Sequence, residues 1–242
     1  MRLIGVVQAR MGSSRLPGKV MMDLAGHPIV AHIFDRLRAT KGVRDVVLAT
    51  TMDPRNEHLV SYAQSKGIAV FREEDENDIA ARLLGAANAT LADAILKVNG
   101  DCPLVDPVIM RQLVEMFATG EYDYVSNKII WSWPEGYSAE IISTDALVCC
   151  ASELTTALDR ELVANYIRDN TSRFRVGSVG DRRYNGLLKL AVDTPEDFEE
   201  VAGIFSALWP ANPLFGFKEV SEFLRGESRR TETVFQKNTI RR

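Results

Sequence analysis

The apolar residues of the first hundred positions follow two alternating rhythms. Near-continuous runs of strand length occur at Leu3-Ile4-Gly5-Val6-Val7, Asp45-Val46-Val47-Leu48-Ala49, Ile68-Ala69-Val70-Phe71 and Ala94-Ile95-Leu96-Lys97-Val98, as expected of strands covered on both faces. Between them, 28–38, 57–66 and 79–89 carry apolar residues at helical spacing. This alternation predicts an α/β fold: a mostly parallel twisted sheet with helices on both faces. From about Tyr122 the rhythm changes. Strand-like pieces at 122–126, 139–143, 174–179 and 187–192 surround helical stretches at 145–153 and 158–168, so the sheet is expected to continue with some antiparallel pairing. Two helices, 195–208 and 218–224, follow the last strand-like piece. With no internal repeat and no Gly/Ser- or Pro-rich linker, 1–226 is expected to form a single domain. The polar stretch 227–242, with basic residues Arg229, Arg230, Lys237, Arg241 and Arg242, is expected to be a solvated tail, the alternative being a partner-binding arm.

Composition narrows the field. The chain has 242 residues, 46% of them hydrophobic, and 29 basic against 33 acidic side chains, a net charge of −4. That acid excess argues against a protein built to neutralise nucleic-acid phosphates or anionic lipid. No apolar run approaches the roughly 18 residues of a membrane span. The expected partners are therefore small molecules, with neither nucleic acid nor membrane among them. The three cysteines, Cys102, Cys149 and Cys150, include no C-x-x-C pair, which fits free thiols in a reducing compartment. The first residues run straight into a strand rather than a signal peptide, and a cytoplasmic protein is expected. With only His27, His32 and His58 available, carboxylates and cations must carry the chemistry.

The first strand is followed by Gln8-Ala9-Arg10-Met11-Gly12-Ser13-Ser14-Arg15-Leu16-Pro17-Gly18-Lys19, a strand-to-helix loop with three cations, two hydroxyls and two glycines. A polyphosphate needs those groups: glycine lets backbone N–H groups approach phosphate oxygens, hydroxyls donate, and Arg or Lys offsets negative charge. It is not a Walker A loop, because five residues separate Gly12 from Gly18 and Val20 follows Lys19. Asp101 follows the fourth strand in Asn99-Gly100-Asp101, at the carboxyl edge where open α/β sheets bind ligands. Asp106, before Pro107, reads as a helix N-cap. Thr194 and Asp197 form a variant capping box around Pro195, which leaves Asp193, after the last strand-like run, without a structural role. Two strand-end carboxylates facing one basic loop suit Mg2+, which takes one or two carboxylates together with substrate phosphates. Glu140, Arg160 and Glu161 either line a pocket for a polar acceptor or serve the local structure, Glu161 by favouring a helix dipole. Arg82 is a further candidate.

Four segments together resemble a known family. Q-A-R-M-G-S-S-R-L-P-G-K at 8–19, G-D-C-P-L at 100–104, R-E at 160–161 and V-D-T-P-E-D-F at 192–198 are similar to the cytidylyltransferases of the spore-coat polysaccharide type. These are relatives of the synthetases of CMP-3-deoxy-manno-octulosonate and CMP-sialic acids. The resemblance runs from Met1 to about Leu224 and implies a single α/β nucleotidyltransferase domain that is a homodimer. It implies that Gln8, Ala9, Arg10, Gly12, Ser13, Ser14, Arg15, Lys19, Arg82 and Asp101 bind CTP. Lys19, Arg15 and Asp101 would be catalytic, Asp101 and Asp193 would hold Mg2+, and Glu140, Arg160 and Glu161 would stand near the acceptor. The chain departs from the family pattern at Ser138, Leu162 and Ala81, where Asp, His and Asp are common. All three lie outside the phosphate loop and the metal positions. The implied reaction is attack of an acceptor oxygen on the α-phosphorus of CTP with loss of pyrophosphate. Rival readings are a nucleotide-sugar glycosyltransferase, a nucleotidyltransferase using another triphosphate, and a non-catalytic nucleotide-binding protein.

Overall fold

A computed structural model describes residues 1–130, 132–181 and 188–226, so the tail 227–242 lies outside the described residues. In chain order the elements are β1 (Leu3–Gln8), β2 (Asp23–Leu24), β3 (His27–Pro28), α1 (Ile29–Ala39), β4 (Asp45–Thr51), α2 (Glu57–Ser65), β5 (Ala69–Glu73) and α3 (Ile79–Ala89). There follow β6 (Ala94–Asn99), α4 (Pro107–Phe117), β7 (Tyr124–Ser126), β8 (Ala139–Ser143), α5 (Thr144–Glu153), α6 (Ala157–Glu161), α7 (Val163–Asp169), β9 (Val176–Ser178) and α8 (Pro195–Leu208). A last helix, α9, covers 217–226.

Among the described residues, seven strands form one sheet in the order β5-β4-β1-β6-β8-β7-β9. Only β8 is reversed: it pairs antiparallel with β6 and β7, while β4, β5, β1, β6, β7 and β9 run the same way. Side chains alternate between the two faces of each strand. Leu3, Val7, Val46, Leu48, Leu96 and Ile141 pack against α1, α4 and α8 on one face. Ile4, Val6, Val47, Ile95 and Ile142 pack against α3, α5 and α7 on the other. Both faces are thus dry, which explains the unbroken apolar runs, and each buried side chain of this size contributes about 1.5–3 kcal/mol. Among the described residues no helix is long and apolar enough to cross a membrane.

The first half of the sheet follows the sequence pattern closely, and three later features depart from it. The run expected to be a strand at 187–192 is no member of the sheet. Its described part makes a single parallel bridge, Lys189 with Glu135, and Val192 N–H donates to the Asp101 carbonyl at 2.9 Å. The segment is extended because it lies against the loops at the carboxyl edge rather than beside a strand. Gly136 permits the approach: its φ is 107°, and a Cβ there would meet the Leu190 carbonyl oxygen at 2.5 Å. The helix expected over 158–168 is broken at Leu162, with φ −100° and ψ 31°, into α6 and α7. The strand expected at 174–179 shortens to Val176–Ser178. The two N-terminal caps are as read: Asp106 accepts from Val108 N–H at 2.7 Å, and Thr194 with Asp197 closes a capping box on α8.

Two topological facts bring the site together. Strands β1 and β6 are parallel neighbours in register, with Gln8 opposite Asn99, so the basic loop and Gly100-Asp101 leave the sheet side by side. The chains touch at that exit, where a Cβ on Gly100 would lie 2.6 Å from the Cβ of Ala9.

Candidate active site

The loop after β1 is held open from below. Its Met11 N–H donates to Asn56 Oδ1 at 2.8 Å, and the buried Asn56 is itself fixed by Nδ2 on Thr51 Oγ1 at 2.7 Å. Ser13 and Gly18 N–H both donate to the Met11 carbonyl at 3.0 Å, and Leu16 N–H to Ser13 Oγ at 3.3 Å. The N–H groups of Arg10, Gly12, Ser14 and Arg15 have no acceptor among the described residues. They belong to half-buried and exposed residues that border a cleft, where backbone N–H groups are free to donate to an anion. The cleft they border has a volume of about 360 Å3 and is lined by Gln8, Ala9, Arg10, Gly12, Ser13, Ser14, Arg15, Lys19, Glu76, Arg82, Asn99, Asp101, Glu161 and Asp193, among others.

At its base Asp101, just past β6, meets Asp193, which follows the extended segment 188–192. Lys19 Nζ lies 2.9 Å from Asp193 Oδ1 and 3.2 Å from Asp101 Oδ2, and it donates to the Val192 carbonyl at 2.7 Å. The two carboxylate oxygens are thus within about 6 Å of each other, the sum of the first two distances. Arg15 reaches Asp193 at 2.9 Å, and Lys189 bridges Asp193 at 3.4 Å and Asp197 at 2.6 Å. Burial alone would push the Asp193 carboxyl up, but the Lys19 hydrogen bond and the charges of Lys19, Arg15 and Lys189 hold it below the usual carboxylate range. Both carboxylates keep further lone pairs, and their hard oxygens fit Mg2+. Among the described residues no third His, Cys, Asp or Glu joins them in a metal-holding group, so the donor set suits an ion that shares its coordination with phosphates and water.

The remaining candidates divide. Arg10 is paired with Glu76 at the rim of the cleft. Arg82 is buried in its wall, where it donates to the Glu76 carbonyl at 2.5 Å and leaves Nε without a partner. Gln8 presents an unpartnered Oε1. The three residues expected together beside the acceptor are apart. Glu161 lines the first cleft. Arg160 faces neither cavity: it bonds Asp78 at 2.7 Å and the carbonyls of Ala151 and Leu154 at 2.9 and 3.0 Å, tying α5 and α6 to α3. Glu140 is buried in β8 opposite Lys97, whose Nζ lies 2.9 Å from Oε2, and Tyr124 Oη donates to Oε1 at 2.6 Å. Burial raises that carboxyl, yet Lys97 and Lys128 outweigh it and the acid settles at about 2.

A second cavity, also about 360 Å3, shares Asn99 and Asp101 with the first. Its walls include Asn127, Lys128, Trp133, Glu135, Ser138, Asn165 and Arg168. The Lys128 ammonium has no carboxylate within 4 Å among the described residues, and Arg168 donates to Asn165 Oδ1 at 3.2 Å. Sequence reasoning passed over these polar residues. The i, i+3 spacing of Asn165 and Arg168 on one face of α7 was the available signal.

An α/β sheet with two carboxylates meeting a lysine beside a basic loop at its carboxyl edge is the setting of a nucleotidyltransferase fold. The chain belongs to the cytidylyltransferase family, whose model, described as "Cytidylyltransferase", matches residues 4–239. It is 32% identical over 201 residues to an uncharacterized protein of Methanocaldococcus jannaschii, covering 82% of this chain and 81% of that one. It is 28% identical over 213 residues to the spore coat polysaccharide biosynthesis protein SpsF of Bacillus subtilis, covering 84% and 86%. The structure of a cytidylyltransferase from Leptospira borgpetersenii superposes with a TM-score of 0.89 at 28% identity, covering 95% of this chain and 96% of that one. The protein is thus an enzyme of the cytidylyltransferase class.

Proposed function

We propose that the enzyme transfers CMP from CTP to an oxygen of a small polar acceptor and releases pyrophosphate, in the synthesis of a surface polysaccharide or glycoconjugate precursor. The observation that carries this reading is the meeting of Asp101 and Asp193 at Lys19, on the floor of a cleft bordered by unpaired loop amides. The amides of Arg10, Gly12, Ser14 and Arg15, with the side chains of Ser13, Arg15 and Lys19, would hold the triphosphate. Arg82 and Gln8 would stand beside the rest of the nucleotide. Bound through Asp101 and Asp193 together with the phosphates, Mg2+ would supply positive charge that offsets their repulsion of an incoming oxygen. Lys19 and Arg15 would stabilise the charge that develops as the pyrophosphate oxygen departs.

The acceptor reading shifts from Glu140, Arg160 and Glu161 to the second cavity. That cavity adjoins the first through Asn99 and Asp101, so an acceptor in it would lie next to a nucleotide held in the first. Lys128, Arg168 and the Asn165 amide would orient a polyhydroxy acceptor, while Asn127, bonded through Nδ2 to the Tyr137 carbonyl at 2.8 Å and through Oδ1 to Ala139 N–H at 2.9 Å, would hold the wall in shape. A pyrophosphate-release assay with the four nucleoside triphosphates against a panel of polar acceptors tests the proposal. Release is expected with CTP. Release with UTP or GTP but not CTP would overturn the base assignment, and no release with any pair would favour a non-catalytic nucleotide-binding role.

A further inference from the structure

Among the described residues, the charges around Asp193 balance. Asp101, Asp193 and Asp197 contribute three negative charges, and Lys19, Arg15 and Lys189 contribute three positive ones, in ion pairs of 2.6 to 3.4 Å. Lys19 is the hub. Its ammonium stands between the two carboxylates that would take the metal, and its bond to the Val192 carbonyl keeps it there, with only 8% of the residue exposed. A divalent ion approaching both carboxylates meets that ammonium, and it meets Arg15 and Lys189 at the Asp193 end. Repulsion between a double and a single positive charge at such separations is appreciable even at the dielectric constant of water. A triphosphate changes the balance, because it brings negative charge to the loop and offers Lys19 and Arg15 new partners.

The geometry points to Lys19 as a resident cation that keeps the two carboxylates apart from a divalent ion until a polyphosphate arrives, so that ion and polyphosphate are taken up together. The inference rests on the functional reading for the identity of that polyphosphate and for Asp101 and Asp193 as the holders of the ion; the charge balance belongs to this chain. It also gives Lys19 two successive partners, the carboxylates in the free chain and phosphate oxygens in the loaded one.

Mn2+ binding followed by electron paramagnetic resonance tests it without turnover. In the absence of nucleotide, the wild-type chain is expected to bind Mn2+ at least about tenfold more weakly than Lys19→Gln. Because Lys19 is buried, an Arg15→Gln/Lys189→Gln double variant, altered at more exposed positions, provides a second arm and should bind Mn2+ more tightly in the same sense. Adding inorganic tripolyphosphate should make wild-type protein retain Mn2+, whatever the base preference. Nucleotide-free wild type that holds one Mn2+ per chain as tightly as both variants would overturn the inference. The two readings fail separately. If no triphosphate supports pyrophosphate release but the Mn2+ pattern holds, CMP transfer falls and the resident cation stands. If CTP turns over while wild type binds Mn2+ alone, the reverse follows.

Discussion

Two lysine–carboxylate clusters lie on adjoining parts of the same sheet, and they serve opposite ends. Lys97 and Glu140 face each other across β6 and β8 in exact register, and Glu140 spends one oxygen on Lys97 and the other on Tyr124. Its side chain is 7% exposed. Lys19, Asp101 and Asp193 sit a few residues further along, past the strand ends, where the Asp101 side chain is 27% exposed and the neighbouring loop amides are unpaired. An ion pair therefore does not mark a site by itself. What separates the two clusters is saturation and access: one has every oxygen occupied and no room, and the other borders space that a ligand can enter.

The comparison breaks most sharply at Glu140. Glu140→Ala strands the Lys97 ammonium in the interior, and equilibrium unfolding in urea should show a loss of about 3–5 kcal/mol, whereas Lys97→Met with Glu140→Leu and Tyr124→Phe, which removes Glu140 and both its hydrogen-bond partners together, should recover most of it. Its pH dependence has a definite sign. The folded acid lies at about 2, below its usual value of 4.5, so its contribution is complete above about pH 4.5 and is lost as pH falls toward 2. A wild-type stability profile that stays flat through that window would contradict the pairing. At the edge cluster, Asp101→Ala is expected to lower CTP-dependent pyrophosphate release roughly 10²–10³-fold, about 2.7–4 kcal/mol of transition-state stabilisation, with a smaller effect on unfolding than Glu140→Ala. Near-wild-type release would remove Asp101 from the mechanism. The smallest effect is expected in the second cavity, where Lys128→Met should raise the acceptor KM by about tenfold or more, the worth of a hydrogen bond to a charged group, while Arg160→Met leaves that KM unchanged. Equal effects of the two substitutions would return the acceptor to the α6 side.

The parallel half of the sheet was legible because strands covered on both faces must be apolar throughout, and 3–7, 45–49 and 94–98 have few other ways to be buried. The loop at 8–19 and Asp101 were legible because parallel neighbouring strands deliver their following loops to one edge. Asp193 was placed at that edge for a partly mistaken reason: the apolar run before it is buried against loops and pairs with no strand of the sheet. Glu140 and Arg160 show where local reading stops. Each has an ordinary local environment in sequence, and only the partner more than 40 positions away, Lys97 or Asp78, reveals what the charge is for. Lys128 and Asn127 escaped because a polar residue after a strand is indistinguishable from a turn until the fold closes over it.

The reversal of β8 has a consequence for how such an enzyme can diversify. Because β7 points toward the ligand edge and β8 away from it, the connection between them overhangs that edge and supplies Asn127, Lys128, Trp133, Glu135 and Ser138 to the second cavity. The basic loop proposed to take the triphosphate comes from β1, across an intervening strand. On the proposed assignment, insertions or exchanges in one hairpin would recut the acceptor chamber while the nucleotide side is inherited intact, which would make the scaffold modular along the line between β6 and β8.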